Sequence, residues 1–454
     1  MEKASIMDKW DNRALARLIV PLMAERLLLT VTGVIDTSMV SFVGEEAVSG
    51  VSLVDSINFI MFDVFGALAT GGAVVCSQFI GRNENSSASE ASKQLMITVA
   101  LLSLAIMAPT LLLHRQLLVL IYGGLDAGVM DAAVIYFIIT AAGYPFLAVY
   151  MTGAALFRSM GNSFIGMAIS FMTNIIKFTC NWLFIFVFSW GVAGAAFSTL
   201  IIRFISAAVI VWLLWGKAGG PVRIDGITRT RLKPKLIRSI MRVAVPNGAE
   251  GMFFQAGKLF LARLVATFGT VAIAGNAVAN MIINIGNLPG LSIAMAILTI
   301  VGQCVGARDY KAAKKLTGKL IRLNYIVMGS LNILIIIFMR TFFRLFNLSP
   351  ESLDIAFVCG MCFSAGAIFI WTPAYCLPFA LRAAGDNKYT MIVASIAMWC
   401  ARVGVAYLLA AIYGDKIGAL CVWISMLCEW VIRATGFTHR WFGGKWRRQV
   451  VIVE

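Results

Sequence analysis

The sequence predicts an all-α polytopic membrane protein: twelve transmembrane helices in two six-helix bundles related by a parallel pseudo-two-fold repeat. Three observations predict it. Of 454 residues, 60% are hydrophobic and 13% charged, with a mean hydropathy of +0.86, more apolar surface than a water-soluble chain can bury. Apolar runs of helical length, separated by short polar or glycine-rich turns, number twelve. A stretch that begins at Pro21 returns at Pro246, 225 residues later and without a gap.

The first six runs cover 14–41, 48–77, 92–113, 130–156, 161–188 and 192–215. The other six cover 237–268, 273–302, 313–341, 352–380, 386–411 and 415–437. The expected layout is a first lobe at 1–215, a basic linker at 216–236, a second lobe at 237–437 and a basic tail at 438–454. The repeat supports the lobes block by block. Glu25 falls on Glu250 and Gly50 on Gly275; Gln78 and Gly81 of SQFIG fall on Gln303 and Gly306 of GQCVG, all at 225. FRSMGN falls on LRAAGD, taking Arg158 to Arg382, and Gly194 falls on Gly418, both at 224. With six helices per half, equivalent helices run in the same direction, so the repeat is parallel. Two such bundles enclosing a cavity are expected to alternate its access between the two faces of the membrane.

The loops give the orientation. Lys217, Arg223, Arg229, Arg231, Lys233 and Lys235 of the linker stand against Asp225 alone. The loop ARDYKAAKKLTGK, the loops holding Arg82 and Lys93, Arg158, and Arg382 and Lys388, and the tail with Arg440, Lys445, Arg447 and Arg448 are also basic. These are the even-numbered loops and the tail, so both termini are expected in the cytoplasm and the protein in the cell (inner) membrane. Arg340 and Arg344 of the ninth loop are a mild exception. No cleavable signal or lipid anchor is expected.

Composition also excludes. The net charge of +16 follows the loops, with no basic soluble domain interleaved with aromatics, so no nucleic-acid partner is expected. Nine cysteines lie mostly inside apolar helices. Cys359 and Cys362 have CxxC spacing, but sit in AFVCGMCFSAG without a second pair, and read as core thiols rather than metal ligands. Two histidines, His114 and His439, do not make a metal or triad centre. No metal site and no enzyme are expected.

Ionisable groups inside spans cost roughly 2.5–3.5 kcal/mol each on insertion scales, so each calls for a reason. On the first helix Glu25, Leu29, Thr32 and Asp36 share a face, and Pro21, four residues before Glu25, is expected to kink the helix or free a carbonyl. The second helix offers Asp55, Asn58 and Asp63; the sixth offers Arg203, whose expected acidic partner is Asp55 or Asp63. The seventh carries Pro246, Glu250, Gln255, Lys258 and Arg263. Glu250 repeats Glu25, which suggests that both brace the kink or cap a cytoplasmic gate. Glu429 and Arg402 are expected to pair. Twenty-two methionines and thirty phenylalanines suit a cavity with re-packable walls. Asp55, Asn58, Phe62, Tyr150, Arg203, Gln255, Lys258, Asn280 and Trp371 are the expected cavity residues, and the row Asn276, Asn280, Asn284 and Asn287 is expected to face protein.

The motifs IVPLMAERLLLTVTGVIDTSMVSFVG, SQFIGR, GVAGAAFST, FGTVAIAGNAVA and LRAAGDN, in this order and spacing, resemble the MATE (multidrug and toxic compound extrusion) family over essentially the whole chain. The resemblance implies antiport, in which a drug-like, often cationic compound leaves as Na⁺ or H⁺ enters, with a small organic cation as the partner. It implies no cofactor beyond that coupling ion, and the protein is expected to be a monomer. It makes Asp36 the equivalent of the family's coupling aspartate on helix one.

Helix five departs from the family. Members with a Na⁺-type site resemble N-x-x-x-D there; here Lys177 takes the asparagine position and Asn181 the aspartate position, with Asn174 counted in the same group. A lysine beside Asp36 would fill the charge role of Na⁺, so H⁺ coupling is expected, or a Lys177–Asp36 pair that opens and closes with substrate. The family's helix-seven glutamate with an acidic helix-ten partner does not carry over, because helix ten has no acid.

Three rival classes would leave different marks on the sequence. A lipid-linked precursor flippase of related fold would have a larger, strongly cationic cavity. A major-facilitator transporter would carry a G-x-x-x-D-R-x-G-R-R-like loop where GRNENSSASEASK stands. An intramembrane enzyme would show a reactive cluster, and none is visible.

Overall fold

A computed structural model describes residues 6–216, 220–344, 349–449 and 451, so Lys217 of the linker lies outside the described residues. Among the described residues there are helices and no strands. Six spans form the first half: α1 (Asn12–Ser41), α2 (Glu45–Gly81), α3 (Asn85–Leu112), α4 (Ala127–Ala142 with Tyr144–Ser159), α5 (Phe164–Val187) and α6 (Gly191–Trp215). Six follow: α7 (Pro234–Ala266), α8 (Thr270–Gly286 with Leu288–Gly306), α9 (Tyr310–Phe343), α10 (Pro350–Ala383), α11 (Asn387–Gly414) and α12 (Leu420–Phe442). Ten of these contain a helix apolar and long enough to cross a membrane by itself, and α4 qualifies as a bent pair. The remaining one, α7, has the length, 33 residues, but carries Glu250, Gln255, Lys258 and Arg263.

The departures from the expected runs have local causes. The 130–156 run is two helices meeting at 49° around Gly143, because Pro145 has no N–H to donate and its ring crowds the preceding turn. The 273–302 run breaks at Asn287, two residues before Pro289. The last span starts at Leu420 rather than 415, after Gly418 turns the chain with φ 48°. It continues to Phe442, five residues into the expected tail. Three spans contain a π-helical turn: Trp182–Val187 in α5, Ala367–Trp371 in α10 and Ala397–Gly404 in α11.

The described residues divide into two compact units, Asn12–Gly248 and Ala249–Val451, with residues 6–11 grouping with the second. The first unit runs past the basic linker because the linker docks on it. Val222 and Ile224 are buried. The Arg223 amide donates to Ser89 Oγ (3.0 Å), and the side chain of Gln94 donates to Arg231 O (2.7 Å) while accepting from the Lys233 amide (3.0 Å).

Within each unit the same pair of spans packs most extensively, α2 with α4 and α8 with α10. The repeat-related glycines explain how closely. A Cβ on Gly50 would lie 2.9 Å from the Ala133 amide nitrogen, and one on Gly275 would lie 2.7 Å from Ser352 O. Both positions bring a helix backbone against a neighbouring one, which a side chain would prevent.

Candidate coupling and substrate sites

Pro21 and Pro246 both lie inside unbroken helices. Proline 21 leaves the Arg17 carbonyl without its helical donor. Ser163, at the start of α5, donates to Leu18 O (2.5 Å) and Arg17 O (3.3 Å). The freed Arg17 carbonyl and its neighbour therefore tie α1 to α5. One turn on, buried Glu25 lies 3.8 Å from Arg158, with Gly166 of α5 packed against its carboxylate. In the second unit buried Glu250 accepts from Arg382 (2.7 Å), the residue that the repeat sets against Arg158. It also accepts from Arg433 (3.1 Å). The same ion pair thus occurs twice, once per unit.

Further along, α1 and α5 meet at Asp36. Its Oδ2 is paired with Lys177 Nζ and its Oδ1 accepts from Asn181 Nδ2 (2.9 Å). Both partners are buried, and Asp36 keeps 28% of its side chain exposed. Asn174, one turn before Lys177, donates instead to Leu28 O (3.3 Å) and braces the helix pair. Of the face expected on α1, Glu25 and Asp36 reach α5, whereas Leu29 is exposed. Beyond Asn181 the helix widens into its π turn, and Asn181 Oδ1 is left without a hydrogen-bond partner.

Asp55 on α2 is close enough to feel the charges of both Lys177 and Asp36. It accepts from Asn58 Nδ2 (3.2 Å) and from Tyr136 OH on α4 (3.3 Å), and Tyr144 OH donates to Asn58 Oδ1 (3.1 Å). The sequence reading missed both tyrosines. Their signal was a row of phenols, Tyr136, Tyr144 and Tyr150, in a largely apolar span.

Arg203 corrects an expectation. It makes no direct ion pair with Asp55 and donates instead from Nη1 to Thr140 O (2.7 Å), a carbonyl exposed by the α4 break. Glycine at 143 admits it, since a Cβ there would lie 2.9 Å from Arg203 Cδ. Tyr150 bonds Ser170 (3.1 Å), which joins α4 to α5. Phe62 is exposed on α2.

In the second unit Trp371 does not line a cavity. It is 1% exposed, stacked on Tyr375 at 4.9 Å, with Gly290 against its ring. Glu429, fully buried, pairs with Arg402 (2.8 Å) and Arg433 (3.4 Å) and accepts from Tyr375 OH (3.5 Å). Arg433 thereby links Glu429 to Glu250. The Glu429–Arg433 spacing of four on one helix was the overlooked signal. A pocket of about 140 Å³ opens beside this cluster, lined by Lys258, Leu261, Asn276, Asn280, Arg402 and Trp423 among others. Of the asparagine row, Asn276 accepts from Trp423 Nε1 (3.1 Å), while Asn280 and Asn284 are exposed, so the row faces protein only in part. Gln255, on α7, is half-buried. Cys359 is buried and Cys362 half-buried, both as free thiols.

Two six-span lobes with polar groups held inside their helix pairs define a polytopic membrane transporter fold. A profile of the MatE family matches residues 21–183 and 246–408, an offset of 225 at both ends, and the chain belongs to that family of multidrug and toxic compound extrusion transporters. It is 23% identical over 449 residues to "Probable multidrug resistance protein NorM" of Thermotoga maritima, covering 98% of this chain and 95% of that one. It is 25% identical over 440 residues to "Uncharacterized transporter YisQ" of Bacillus subtilis, covering 94% and 93%. Among solved structures, "MATE in the bent conformation" superposes with a TM-score of 0.88 at 19% identity, covering 98% of each chain. A MOP superfamily transporter from Pyrococcus furiosus reaches 0.89 at 19% identity, covering 99% of each. At such identities the structural likeness speaks for the fold.

Proposed function

We propose that the protein is a secondary antiporter, not an enzyme, that exports drug-like amphipathic compounds by alternating access and is driven by H⁺ rather than Na⁺. One observation carries the choice of ion: both Asp36 oxygens are already taken, one by the Lys177 ammonium and one by the Asn181 amide. A sodium ion at that carboxylate would stand within a few ångströms of the ammonium. Two like charges 4 Å apart repel by about 4 kcal/mol at an effective dielectric of 20. A proton meets the same charge but, unlike Na⁺, needs no shell of oxygen ligands. It binds the carboxylate itself, cancels the pairing with Lys177 and frees the two helices to separate at that level. Proton binding and the Asp36–Lys177 pair thus exclude each other, as a coupling site requires. The basic loops favour a cytoplasmic membrane location with both termini in the cytoplasm. As for the charge of the cargo, the family resemblance implies a cation, whereas the pocket beside Arg402 argues for an anion.

The test is efflux of fluorescent amphipaths from proteoliposomes, with a pH gradient and a Na⁺ gradient imposed separately. A pH gradient alone is expected to drive transport. Strict dependence on Na⁺ at fixed pH would overturn the reading.

A further inference from the structure

The second lobe carries an altered copy of the Asp36 site. At the offset of 225 Asp36 falls on Leu261. Lys177 lies between blocks offset by 224 and the end of the family match, offset by 225, which sets it on Ala401 or Arg402, and of these two Arg402 shares a pocket with Leu261. The base is kept and the acid is gone. Leu261 and Arg402 line the same pocket, so the place filled by a carboxylate in the first lobe is a cavity in the second.

The surroundings of that cavity are cationic. Among its lining residues the ionisable ones are Lys258 and Arg402, and no aspartate or glutamate lines it. Both cations flank one ring, with Lys258 Nζ 5.9 Å and Arg402 Cζ 5.6 Å from the centroid of Phe254. The ion pairs behind the wall do not cancel the charge, because Glu429 and Glu250 are shared among Arg402, Arg433 and Arg382. The Arg402 Nε donor is buried without a hydrogen-bond partner. Asn276, Asn280 and Trp423 add polar edges, and the other walls are apolar. At about 140 Å³ the pocket is smaller than the roughly 300–1,000 Å³ that holds a whole drug-sized molecule. It is sized for the charged end of one.

We propose that this pocket binds the anionic head, a carboxylate or sulfonate, of an amphipathic ligand, which there takes the place that Asp36 holds beside Lys177. The inference rests on the antiporter reading only in calling that ligand cargo.

The test uses the full chain in nanodiscs, titrated calorimetrically with naphthylacetate and with naphthylmethyl-trimethylammonium, which share a ring and differ in charge. The wild type is expected to bind the carboxylate at least tenfold tighter than the ammonium. Leu261→Asp supplies the missing acid and is expected to weaken carboxylate binding at least tenfold, and several-fold more than Leu261→Asn, equal in size and uncharged. Lys258→Gln is expected to weaken it several-fold. Preference for the ammonium, or equal carboxylate affinity in wild type and Leu261→Asp, would overturn the proposal. Asp36→Asn separates the two readings: it is expected to keep carboxylate binding while losing pH-driven transport. A wild type that exports under a pH gradient yet shows no carboxylate preference sinks the pocket and leaves the antiporter standing.

Discussion

The two lobes began with the same parts and have spent them differently. Both retain a proline, a glutamate one turn later and an arginine from the fourth or tenth span that meets it. In the first lobe that pair is loose, 3.8 Å from Glu25 to Arg158, and the tight polar contact lies further along, at Asp36, Lys177 and Asn181. In the second lobe the glutamate is gripped by two arginines at 2.7 and 3.1 Å, and the position of Asp36 is a leucine. The fourth and tenth spans diverge in the same sense. An offset of 224 carries Gly143, where α4 bends by 49°, onto Ala367, where α10 winds a π turn and stays one span. What a repeat preserves is a set of positions, and which of them is rigid and which is titratable is decided by a few substitutions.

This contrast can be broken or sharpened experimentally. The largest effect belongs to Asp36→Asn, which is expected to fold and insert but to lose pH-driven efflux, at least tenfold and down to background in a vesicle assay; near-normal efflux would remove Asp36 from coupling. Next is the double change Lys177→Asn with Asn181→Asp, which restores the N-x-x-x-D pattern and withdraws the tethered cation. A Na⁺ gradient is expected to stimulate that variant several-fold and to leave the wild type unmoved.

The last two predictions concern stability, read from denaturation of the purified protein. Glu250→Gln takes an acidic partner from half-buried Arg382 and one of two from buried Arg433, and is expected to cost about 3–5 kcal/mol, the range for breaking a buried ion pair from one side. Glu25→Gln gives up the longer contact to Arg158, and a clearly smaller loss is expected. Equal losses at the two glutamates would refute the asymmetry of the lobes.

Much of this organisation was legible in the chain. The glutamates and arginines that form the repeated ion pair sit in the blocks that revealed the repeat, and Asp36, Lys177 and Asn181 stood out because polar groups in apolar helices call for partners. Arg402 and Glu429 were paired for the same reason. The rest required the third dimension. Helical periodicity says which residues of one span share a face, but not how the next span is rotated toward it. Arg203 therefore went to a backbone carbonyl opened by the break at Gly143, and Trp371 into a packed stack with Tyr375. Pro145 was a visible cue to that break, and reading it would have offered Thr140 O as an acceptor.

A π turn is an α-helix holding one surplus residue. Were the residue expelled, everything on one side would swing by about 100° relative to the other, the angle between successive helical positions. Arg402 lies within such a turn, between Ala397 and Gly404. Its aim at Glu429 is therefore set by local over-counting of the chain rather than by the direction of the whole span. Shortening α11 by one residue there would re-point the guanidinium while leaving both ends of the helix anchored.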